Sequence, residues 1–130
     1  MITLIALVVG AALAFPFLLW TRAQPDGGRR FYAIGLAVTA LLYVAFALIG
    51  GPSAQALGLE AAGVVLYGAA AWLGYRKSAI LLALGWALHP VWDVALHLQG
   101  AGAGYTPGWY PWGCVSFDLM VAGAVLGRSS

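Results

Sequence analysis

The chain has 130 residues, 63% of them hydrophobic and only 8% charged, and its six basic and four acidic residues give a formal charge of +2. A soluble domain carries about 25% charged residues, so the composition excludes a water-solvated globule, and no basic cluster suits nucleic acid. With a mean hydropathy of +0.92, the solvent for most of this chain is lipid.

A backbone in lipid must satisfy its own hydrogen bonds, which leaves helices or a closed barrel. Barrel strands alternate apolar and polar residues. Here the apolar runs are continuous and about twenty residues long, the length of a spanning helix. The sequence predicts an all-α, polytopic membrane bundle of five helices, a single transmembrane domain over 1–130. The first helix covers about 2–21, and without a charged n-region or a clear cleavage signal it reads as retained, not as a signal peptide. The turn Gln24-Pro25-Asp26-Gly27-Gly28 follows. The second helix covers about 31–50 and ends at Gly50-Gly51-Pro52. The third covers about 54–75 and turns at Arg76-Lys77-Ser78 into the fourth, about 78–98. A Gly-rich stretch from Gly100 to Gly108 leads to the fifth, about 108–127.

Orientation follows from the basic residues. Arg22, Arg29 and Arg30 lie between helices one and two, Arg76 and Lys77 between three and four, and Arg128 after five. Five spans put all six on one side, which the positive-inside rule makes cytoplasmic. The amino terminus is then outside, the carboxyl terminus is inside, and the expected location is a bacterial-type inner membrane. Trp109, Tyr110 and Trp112 fall near the outer end of helix five, where aromatic residues anchor a helix at the interface. The lone Cys114 has no internal disulfide partner.

Three of the four acids, Glu60, Asp93 and Asp118, and both histidines, His89 and His97, fall inside predicted helices. A central Asp is unfavourable there by about 2.5–3.5 kcal/mol on insertion scales, so such residues mark functional sites. Residues four apart advance by about 40° around a helix, so His89, Asp93 and His97 form one stripe about 80° wide, with Trp86 in the same arc. A hairpin turn at Arg76-Lys77 sets Glu60 beside Asp93. The second hairpin sets Asp118 opposite His89, Cys114 opposite Asp93 and Tyr110 opposite His97. The expectation is an outward-opening polar pocket between helices three, four and five. Pro90 lacks the N–H that would serve the Trp86 carbonyl, and it bends the helix next to His89.

Several chemistries use such groups. His89, Asp93, Glu60 and Asp118 are candidate acid–base residues, because imidazole beside carboxylate in a low-dielectric pocket suits proton transfer. Trp86, Trp92, Tyr67 and Tyr43, with Cys114, are the expected pocket walls for a small or lipidic substrate. His89, Asp93, His97, Glu60 and Asp118 are also candidate ligands for a divalent metal such as zinc or iron. The stripe itself spans about 12 Å, so at most two of its adjacent members join one ion. The alternatives are a proton- or ion-coupled transporter and a non-catalytic subunit with a structural polar network. Transport is disfavoured by an inner half nearly free of ionisable groups. A homo-oligomer is compatible with all of these.

The run Gly85-Trp86-Ala87-Leu88-His89-Pro90-Val91-Trp92-Asp93, then His97, Cys114 and Asp118, resembles the core motif of a bacterial membrane family, the domain of unknown function 6010. The resemblance covers helices four and five, about half the chain. Leu98 stands where such families often carry a second His. The resemblance implies a compact membrane protein and no particular activity.

Overall fold

The computed structural model describes residues 1–51, 53–97 and 107–129, and these are all-helical apart from their turns. In chain order the helices are α1 (Ile2–Arg22), α2 (Arg29–Gly50), α3 (Ala54–Arg76), α4 (Ala79–His97) and α5 (Tyr110–Ser129). All five are long and apolar enough to cross a membrane. The end of helix four expected at position 98, the Leu98 departure, and most of the Gly-rich stretch lie outside the described residues.

The turns form where the chemistry asks for them. Gly28 precedes α2 at φ 88° and Gly51 follows it at φ 69°, both in the left-handed region that glycine enters without steric penalty. Asp26 accepts hydrogen bonds from the N–H groups of Gly28 (2.9 Å) and Arg30 (3.0 Å), so two donors at the start of α2 are satisfied and the helix begins at Arg29. Ser53 Oγ caps α3 by accepting from the Ala56 N–H at 3.1 Å. At the other end of α3, the Arg29 guanidinium donates to the Gly74 carbonyl through two nitrogens, at 3.0 and 2.7 Å. That contact joins the start of α2 to the end of α3, and Asp26, Arg29, Lys77 and Ser78 line one pocket at this end of the bundle.

Around the bundle the order is α1, α5, α4, α3, α2, with α1 and α2 barely touching. Two glycines set the α1–α5 seam: a Cβ on Gly10 would fall on the Gly113 carbonyl, so the two backbones meet directly. The interior is aromatic and aliphatic. Trp86 is fully buried, and its Nε1 donates to the Tyr32 carbonyl at 3.0 Å. Gly35 makes room for that indole, since a Cβ there would lie 3.1 Å from Trp86 Cζ2. Leu84, Leu88 and Val91 on the opposite side of α4 are exposed, as a lipid-facing surface should be. Pro90 lies inside α4, which continues through it to His97.

Candidate functional site

Glu60, His89, Asp93, His97 and Asp118 are all buried to within 2% of complete exclusion. The polar stripe of α4 therefore faces the bundle. Its three members do not form one site, however. They divide into two.

The first is a trio. His89 Nδ1 hydrogen-bonds Asp118 Oδ2 at 2.8 Å and lies 3.3 Å from Asp93 Oδ2. One ligand atom from each of the three residues lies within 4.8 Å of the others. Position 118 thus meets position 89 as the α4–α5 register expects. The trio is incompletely satisfied: both Asp93 oxygens, Asp118 Oδ1 and His89 Nε2 are buried with no hydrogen-bond partner among the described residues.

The second is a pair. Both Glu60 oxygens face His97 Nε2, at 3.0 and 2.9 Å. This corrects the expectation that Glu60 sits beside Asp93. The α3–α4 turn is centred nearer Lys77 and Ser78, because α3 runs to Arg76 and Ser78 Oγ receives the Ile80 N–H at 3.2 Å. The shift slides α4 along α3, and Glu60 meets His97 one turn beyond Asp93.

Tyr43 stands between the two groups. Its ring stacks on His97 with centroids 3.5 Å apart and lies 6.1 Å from the His89 ring. Its buried Oη has no hydrogen-bond partner among the described residues. Tyr110 meets the edge of the Tyr43 ring, with centroids 5.7 Å apart.

The cleft that reaches the trio lies on a different side from the pocket expected between helices three, four and five. A cleft of about 500 Å³ lies between α1, α2 and α5. Trp86, Cys114, Phe117 and Asp118 are among its lining residues, and the exposed side chains of Val9, Leu13, Val38 and Leu42 form its rims. Its lining is almost wholly apolar. Of the expected wall residues, Trp86 and Cys114 line it, whereas Tyr43, Tyr67 and Trp92 do not. The reason is packing. The α3–α4 interface is filled, with Tyr67 Oη donating to the Leu88 carbonyl at 3.2 Å and Trp92 lying against Gly63. The cleft lies where α1, drawn onto α5 by its glycine seam, parts from α2. Sequence reasoning missed the α1 wall altogether; the available signal was the four-residue spacing of the small residues Ala6, Gly10 and Ala14.

A model of a family of unknown function (DUF6010) matches residues 1–129, which extends the likeness from the α4–α5 motif to the whole membrane domain. No curated protein and no solved structure matches the chain.

Proposed function

As the chain belongs to the family of unknown function DUF6010, which transfers no activity to it, we propose on physical grounds that it is a membrane-embedded acid–base enzyme acting on a lipidic substrate. The observation that carries this reading is the apolar cleft, open toward lipid between α1 and α2, with Asp118 of the trio in its lining. An acyl chain fits walls of Val9, Leu13, Val38 and Leu42, and its polar end then lies near Cys114 and Asp118. His89 holds the Asp118 carboxyl through Nδ1, and Asp93 offers the same nitrogen a second acceptor, so a proton can move among three groups without leaving the site. A network kept only for packing is expected to be fully paired, because each unpaired buried polar atom is destabilising. The orphaned oxygens of Asp93 and Asp118 argue against that role. The basic residues further support an inner-membrane protein with its amino terminus outside.

The test is a lipid-mass survey. Wild-type protein and variants are reconstituted into vesicles of mixed membrane lipids, and the lipids are compared before and after incubation. Wild type should consume at least one lipid species and form its product. Asp118→Asn should slow this by about 10²–10⁴-fold, the usual contribution of a general acid or base. Val9→Trp, which narrows the cleft without touching the trio, should also slow it, and Asp26→Asn should not. An unchanged lipid profile with active-site-intact, folded wild type would refute the proposal.

A further inference from the structure

The trio also has the composition and spacing of a metal centre. Two carboxylates and one imidazole are buried together in a bundle that lipid surrounds. With both carboxyls ionised and the imidazole neutral, the trio holds two negative charges where each is costly, and only protons or a cation balance them. A divalent cation with a neutral imidazole balances the two carboxylates. The Asp93 side chain is fully buried, its Oδ1 has no hydrogen-bond donor among the described residues, and its Oδ2 has only the 3.3 Å approach of a His89 Nδ1 already bonded to Asp118, although a carboxylate so placed needs a donor or a cation. Zinc binds imidazole nitrogen and carboxylate oxygen at about 2.0–2.2 Å, which sets ligand atoms about 3.3 Å apart in a tetrahedron. His89 Nδ1 and Asp93 Oδ2 are 3.3 Å apart already. The 2.8 Å between His89 Nδ1 and Asp118 Oδ2 needs to open by only about half an ångström, with the Nδ1 proton displaced as the metal enters.

We infer that His89 Nδ1, Asp93 and Asp118 bind one divalent cation of the zinc class, with a fourth position directed toward Cys114 and the apolar cleft. Glu60 is excluded from the ligand set, because both its oxygens already face His97. Three protein ligands with one open position is the pattern of catalytic rather than structural zinc. The inference concerns the same residues as the acid–base reading, but it is measured without any substrate, so either can fail alone.

The test uses the full chain purified in detergent, stripped with a chelator, reloaded with Zn²⁺ or Co²⁺, and freed of excess. Wild type should retain on the order of one cation per chain, and bound Co²⁺ should show the intense visible absorption of a tetrahedral site. Asp93→Asn and Asp118→Asn should each weaken binding by at least about 100-fold, an effect larger than that of losing an outer-shell partner. Glu60→Gln should bind as wild type does. Monodispersity on size exclusion establishes that each variant is folded; if the single variants are not, the wild-type stoichiometry and cobalt spectrum decide alone. Wild type that retains no cation, or a Co²⁺ spectrum of octahedral type, overturns the inference, as does undiminished binding by Asp93→Asn with Asp118→Asn. Lipid turnover surviving in metal-free protein would leave acid–base chemistry standing without the metal.

Discussion

Asp26 and Asp93 carry the same functional group in opposite surroundings. Asp26 lies in the turn between α1 and α2, and hydrogen bonding from the Arg30 backbone N–H, helped by that of Gly28, holds its carboxyl below the ordinary value of 3.8. Asp93 is sealed in the bundle, with only the 3.3 Å approach of His89 Nδ1 to one of its oxygens. A carboxyl lowered in the folded state contributes stability that is complete above its unfolded value and is lost as pH falls through the folded one. The thermal midpoint of Asp26→Ala in detergent should therefore lie below that of wild type by a constant amount from about pH 7 to pH 5, and the gap should narrow below about pH 4. A gap of equal size at low pH would show that the ionised carboxylate is not what holds the turn.

At the scale of elements, helix packing depends on backbone contact as much as on side-chain character. Gly10→Ala places a methyl group on the Gly113 carbonyl and should destabilise the folded protein by about 1–3 kcal/mol, as overpacking generally does. Gly123 meets nothing within 4 Å, so Gly123→Ala should stay within about 0.5 kcal/mol of wild type. Thermal unfolding of the two variants side by side in one detergent checks this, and equal midpoints would mean that the α1–α5 seam yields freely. The same contrast explains what the sequence reveals. Five helices are legible because lipid demands long apolar runs, and the inward stripe of His89, Asp93 and His97 is legible because buried charge is conspicuous among apolar residues. The partner of Glu60 is less so, since every residue by which the turn moves slides the facing position by two, and a small error there exchanges Asp93 for His97. The cleft is least legible. It depends on α1, a helix without a polar landmark, and on the contact of two glycines too small to leave a hydrophobic signature.

At the scale of the whole molecule, five helices of alternating direction gather Arg22, Arg29, Arg30, Arg76 and Lys77 at one end. In the orientation proposed above from the positive-inside rule, that end is cytoplasmic. In a Cys114→Ala background, Ser53→Cys should react with an impermeant thiol reagent added outside the cell, and Ser78→Cys only after the membrane is opened. Labelling of both from the same side would contradict the five-span arrangement.

The pairing of α1 with α5 joins the first helix to the last. Synthesis delivers α1 to the bilayer well before α5, and the neighbour that buries Gly10 is the final one to arrive. Asp118 rides on that same α5, so His89 and Asp93 meet the Asp118 carboxylate only when that span is in place. The cluster and the α1–α5 seam are therefore completed in one event, and a chain that has not yet inserted α5 does not hold the assembled trio.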